Sequence, residues 1–279
     1  GRVTHVVADR VDGSGTEEFP VERLVLGAGT LASGKIFLES WWRGRGELLR
    51  LTGLMDNRQV LLPFLNLRMI RRKHDPRTYQ YHQLLLGMNG NDPRDYVHGI
   101  MTTLKTASIH PVVQSVPFDV PTAMHVFKNV HAALGLVNVN FPDTRRDGCY
   151  LTLDAGRTPD AAPGEAGDSA PLRVHYEPPT GEARKIQQTL GRFKKALRRL
   201  GCFAPPGMEH VRPMGASVHY AGTLPMTTDD RPLTTTPDGR SRDFQNLWFC
   251  DGTGFPFLPA KNLTLTLMAN AARVADAAF

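Results

Sequence analysis

The stretch PVERLVLGAGTLASGKIFLES, residues 20–40, constrains the fold more than any other part of this chain. A short apolar run closes on Gly-Ala-Gly, and Leu31, Ile36, Phe37 and Leu38 then follow with the spacing of a helix start. A strand that enters a helix through glycines lets the backbone approach something bulky, because no side chain stands in the way. Tight strand–helix packing asks for the same glycines, so the segment sets an α/β connection and leaves its neighbour open.

The flanking sequence extends that unit. Residues 2–9 (RVTHVVAD) and 20–28 are short β-branched runs on either side of RVDGSGTEEF, which carries turn chemistry, and they read as a hairpin-like pair. Near the other end, NLWFCDG (246–252) is an apolar run closing on Asp-Gly: a buried strand with a turn at its carboxyl end, where ligands of α/β sheets tend to bind. Leu and Thr alternate from 263 to 267 with strand period, yet the Ala-rich continuation to residue 279 favours a helix. Between these ends, residues 60–150 alternate apolar runs with breakers. Strands are expected at LGLVNVNF and CYLTLDA, and an exposed loop at 155–171, rich in Ala, Gly, Pro and acids.

Charge enters through one segment. The net charge is +6, and much of the excess lies in ARKIQQTLGRFKKALRRLG, residues 183–201. Ile186, Leu190, Phe193, Leu197 and Leu200 share one helical face, while the basic residues lie mostly elsewhere. A core-packed helix with a solvated basic side is expected, and no nucleic-acid partner. No window approaches the roughly 20 apolar residues of a membrane span, and the first residues lack the blocks of a secretory signal. Cys149, Cys202 and Cys250 are far apart with no CxxC pair, which points to neither a disulfide framework nor a metal site and fits a reducing, cytoplasmic compartment.

The order HYAGTLPM (219–226), NLWFCDGTGFP (246–256) and KNLTLTLMANAARVAD (261–276) resembles the carboxyl-terminal part of the glucose-methanol-choline (GMC) family of FAD-dependent oxidoreductases. GTLASGKIFLES is similar to that family's second signature, with Gly29, Ser33, Ile36 and Ser40 in register. It departs from the signature at Gly34, Phe37 and Trp41. LTGLMDNRQV (51–60) loosely resembles a stretch that the family places near its flavin. The resemblance implies an α/β (α+β) chain. Residues 1–60 and 205–279 would form part of an FAD-binding Rossmann-like domain, and residues 61–204 a substrate-binding domain with a mixed or antiparallel sheet flanked by helices. The family's amino-terminal GxGxxG unit is absent from these residues. The resemblance therefore implies an amino-terminal FAD-binding segment upstream or on a second polypeptide.

The same resemblance implies the chemistry: oxidation of a small-molecule alcohol to a carbonyl, with a base taking the hydroxyl proton as hydride leaves for the flavin. His219 would be the base, a role suited to a group that titrates near neutrality. Asn262 would hold the substrate oxygen. Asp251 and Gly252 match the turn at the cofactor's ribityl and pyrophosphate region, Leu263 and Thr264 match backbone near the flavin ring, and Ala28 and Gly29 approach from the first segment. Each has a plainer reading. Apart from the resemblance, His219 reads as a core or partly exposed histidine, Asn262 as a helix cap or the acceptor of an Asn-Leu-Thr sequon, and Asp251-Gly252 as an ordinary turn. His98 and His125 are given no catalytic role. The alternatives are a lyase on the same scaffold, or a non-catalytic binding chain that has lost its cofactor half.

Overall fold

The computed structural model describes residues 1–75, 77, 84–104, 119–154 and 169–279. Among these, the α-helices are α1 (Thr30–Arg45), α2 (Val120–Val130), α3 (Glu182–Arg199) and α4 (Thr264–Ala278). The chain forms two compact units: Gly1–Asn57, Asp143–Glu177 and Ser217–Phe279 make the first, and Arg58–Pro142 with Pro178–Ala216 the second. The whole is a mixture of helices with mainly antiparallel sheets.

The first unit is built on a parallel pair of strands, Leu24–Leu26 beside Leu247–Phe249, in the register Leu24↔Leu247. Side chains alternate across a strand. Leu247 and Phe249 therefore turn to one face, where they pack with Phe37, Leu38 and Trp41 of α1. Trp248 turns to the other and packs with Val274 and Ala278 of α4. A parallel pair is stable when both faces are covered, and here a helix covers each. Against α1 also lies a three-stranded sheet in the order Leu172–His175, Tyr150–Leu153, Leu51–Thr52, which contributes buried Leu51, Leu151 and Leu153. The helix that the 20–40 segment demands is therefore present. The hairpin expected around residue 10 forms with a different partner: His5–Asp9 pairs with Thr16–Pro20, inside the stretch read as a turn. The run after residue 20 goes instead to the parallel pair, since its apolar side chains gain two covered faces there and would stay exposed in the hairpin.

The second unit is an antiparallel sheet in the order Cys202–Phe203, Gln59–Asn66, Leu134–Asn140, Val97–Thr103, Leu84–Met88, with His210–Val211 also pairing to Gln59–Asn66. Helix α3 lays Ile186, Leu190, Phe193 and Leu197 onto Val60, Leu62, Val137 and Val139, the face that its 4-3-4 spacing sets out. Leu200, one residue past the last turn, stays exposed. The basic side engages acids in part: Lys185 meets Asp95 at 3.1 Å and Lys194 meets Glu209 at 3.1 Å. All three cysteines are free thiols, as their spacing implied. Residues 155–168 of the expected acidic loop lie outside the described residues.

Candidate active site

A cavity of about 370 Å³ opens in the first unit where the amino termini of α1 and α4 meet the end of the Leu247–Phe249 strand. Its walls include Ala28, Gly29, His219, Asp251, Gly252, Leu263 and Thr264, so segments from both ends of the chain share one space. Asn262 is not among the lining residues; it is exposed, one position before Leu263.

The α1 end is held open by a carboxylate from elsewhere in the chain. Gly29 caps the helix at φ 90°, in the region that favours glycine, and has no side chain with which to satisfy the helix's first amides. Asp251 does part of that work: its Oδ2 accepts from the Gly29 N–H at 2.9 Å and from the Ser33 hydroxyl at 2.5 Å, and its Oδ1 accepts from the Thr253 N–H at 2.9 Å. The Thr30 hydroxyl donates to the Tyr220 carbonyl at 2.7 Å. At Gly252 a Cβ would stand 2.6 Å from that same carbonyl oxygen, so the Asp-Gly turn fits only as glycine. A Cβ on Gly29, by contrast, would meet nothing within 4 Å. Neither α1 nor α4 carries an acid in its own first turn; at α1 the Asp251 carboxylate supplies the negative charge from elsewhere in the chain, and both helix N-termini open onto the cavity.

His219 enters from a short strand. Tyr220 pairs with Asp56 and Ala221 with Met55, antiparallel; the same register carried one residue further sets His219 opposite Asn57. Their side chains meet, His219 Nδ1 lying 3.1 Å from Asn57 Oδ1. Asn57 is 2% exposed, and its Nδ2 donates to the Pro259 carbonyl at 3.3 Å. The loop leading in is pinned as well: the Ser217 hydroxyl donates to Asp56 at 2.5 Å and accepts from the His219 N–H at 2.9 Å. Val218 between them sits at φ 56°, a left-handed conformation that costs a β-branched residue roughly 1–2 kcal/mol. Burial lowers the His219 pKa, with the Asp56 carboxylate acting in the opposite direction. The ring is therefore a neutral imidazole at neutral pH, able to take a proton.

Asn57 and the Asp56–Ser217 contact had no separate signal in the sequence beyond their place in LTGLMDNRQV. His98 and His125 are engaged elsewhere, His98 with the Tyr96 hydroxyl and His125 with Asn129. Among the described residues no cluster of His, Cys, Asp and Glu could hold a metal ion, and no helix is long and apolar enough to cross a membrane.

Comparison with known proteins finds a family likeness over the carboxyl-terminal quarter of the chain. Residues 203–271, which carry His219, the Asp-Gly turn and the start of α4, match the carboxyl-terminal model of the GMC oxidoreductases. A C-glycoside 3-oxidase from Arthrobacter globiformis is 34% identical over 106 residues, which cover 37% of this chain and 20% of that protein. Two solved structures share the fold across 99% of the residues here. One is pyridoxine 4-oxidase from Mesorbium loti, with a TM-score of 0.60, 15% identity and 54% of its chain covered. The other is an FAD-dependent oxidoreductase from Chaetomium thermophilum, with a TM-score of 0.56, 13% identity and 58% covered. The chain thus spans little more than half the length of these two structures, and its aligned part a fifth of the curated relative.

Proposed function

We propose that this chain supplies the base-bearing half of an FAD-dependent oxidoreductase that converts an alcohol to a carbonyl, completed by an amino-terminal FAD-binding segment or chain. The observation that carries the reading is the shared cavity: a neutral, partly buried imidazole opens onto the same space as two helix N-termini and a glycine whose missing side chain leaves room. That lining fits a flavin nucleotide. Backbone N–H groups at helix starts favour anionic or electron-rich oxygen, and small residues at 28, 29 and 252 let a flat group come close. Ala28, Gly29, Gly252, Leu263 and Thr264 would hold it. Asp251 would act through the backbone it braces, both carboxylate oxygens already accepting within the protein. When bound, FAD supplies the acceptor for the hydride that leaves the substrate carbon.

The chain's own contribution is proton management. His219 accepts the hydroxyl proton, which makes the substrate oxygen electron-rich enough to expel hydride from its carbon. Asn262, an amide that does not titrate, would donate a hydrogen bond to that oxygen from the residue preceding the cavity wall. On this reading residues 1–60 and 205–279 serve the cofactor and 61–204 the substrate.

The test is purification of the native protein with every accompanying chain, followed by a visible spectrum and turnover of two alcohol probes, a glycoside and pyridoxine, chosen from what the similar proteins act on. A flavin spectrum is expected, and His219→Ala should keep the flavin while losing turnover by on the order of 10²–10⁴-fold. Undiminished turnover in His219→Ala would remove the base from the mechanism.

A further inference from the structure

The contact between Asn57 and His219 defines more than a neighbour. The Pro259 carbonyl can only accept a hydrogen bond, so the Asn57 group facing it at 3.3 Å is the Nδ2 amide. Its other end, Oδ1, therefore faces the imidazole, 3.1 Å from Nδ1. An amide oxygen also only accepts, and the ring must then keep its proton on Nδ1. An isolated neutral imidazole is under no such constraint, since either nitrogen can carry the proton. The geometry points to Asn57 as the positioning residue of this site: buried on the neighbouring strand, it fixes the His219 tautomer with the proton on Nδ1 and reserves Nε2 as the ring's lone acceptor.

This rests on the reading of His219 as the base, and it adds what makes the base competent. A histidine with the proton on Nε2 would present a donor to the substrate hydroxyl and could not take its proton. The register fixes the two backbones. Tyr220 and Ala221 are paired in the sheet one and two residues after His219, and Met55 and Asp56 lie directly before Asn57, so neither backbone position can shift without breaking the ladder. Asn57 is 2% exposed, which keeps water from competing for its amide. Asp56 is the charged group whose field reaches the ring, and its carboxylate takes the Ser217 hydroxyl, so it steadies the loop while the ring contact falls to Asn57.

The experiment is ring nitrogen NMR on the full protein labelled with ¹⁵N-histidine, using His219→Gln to assign the signal, joined to turnover of the same alcohol probes. Wild-type His219 is expected in the Nδ1–H form above its pKa. Asn57→Leu, similar in volume but without an acceptor, is expected to populate the Nε2–H form and to lower kcat by on the order of 10²-fold with KM within about twofold. Asn57→Asp, which restores an acceptor, is expected to bring back Nδ1–H, recover most of kcat, and raise the acid limb of the pH profile by about one unit. A wild-type ring protonated on Nε2 would overturn the inference even if no Asn57 variant folds, and so would an Asn57→Leu protein whose ring stays in the Nδ1–H form. His219→Gln with undiminished turnover would instead sink the reading of the base, while the tautomer measured in wild type would still decide the role of Asn57.

Discussion

Gly252 and His219 show how little latitude single positions have around the cavity. Alanine at 252 would press its Cβ to 2.6 Å from a backbone oxygen that cannot swing away. Gly252→Ala is expected to cost about 1–3 kcal/mol, measured as a lower urea midpoint. Asp251→Ala strands the Gly29 and Thr253 amides and the Ser33 hydroxyl together, and a loss on the order of 3 kcal/mol should appear in the same assay. His219 makes a pH prediction. Its folded pKa lies below the ordinary value of about 6.5, so as pH falls the unfolded chain takes up this proton first. The group's neutral-form stability is complete above about 6.5 and declines from there down to the folded pKa, with no further loss below it. The difference should vanish in His219→Gln, and the acid limb of kcat/KM in wild type should fall below pH 6.5. At this scale the sequence singled out residues tied to a motif, such as His219 and the Asp-Gly turn, and the fold brings these to one cavity. It was silent on Asn57, because nothing local states that residues 57 and 219 face one another; only strand register does.

Elements were readable in proportion to their periodicity. The α3 face was plain because four buried side chains recur on one stripe, and Leu197→Ala, at a fully buried position, is expected to cost about 2–5 kcal/mol. The final helix was harder: Leu and Thr alternate over its first residues as they would in a strand, and the Ala-rich remainder carries the decision. The strand expected at LGLVNVNF forms as Leu134–Asn140, and the one at CYLTLDA as Tyr150–Leu153. Pairing was not readable. Two short β-branched runs flanking a turn look like a hairpin from any local window, and the rule that assigned Leu24–Leu26 elsewhere is burial on two faces, a property of residues more than two hundred positions away.

The chain as a whole holds two units with separate cores, one around Phe37, Leu151 and Phe249, the other around Val60, Val137 and Phe193. Calorimetry should resolve more than one transition, with Leu151→Ala lowering one and Leu197→Ala the other; a single transition shifted equally by both would show the cores to be one cooperative block. Each unit is discontinuous in sequence, which is why no linker announces the division. The parallel pair carries a further consequence, for synthesis. Leu24 leaves the ribosome early and Leu247 late, and at 5–20 residues per second the wait between them is roughly 10–45 s. Throughout that interval the parallel pair is unmade, and Phe37, Leu38 and Trp41 of α1 lack the Leu247 and Phe249 side chains that complete their core. A ribosome stalled before the codon for Leu247 would therefore hold a nascent chain whose first helix is finished and only partly covered, a client for a chaperone.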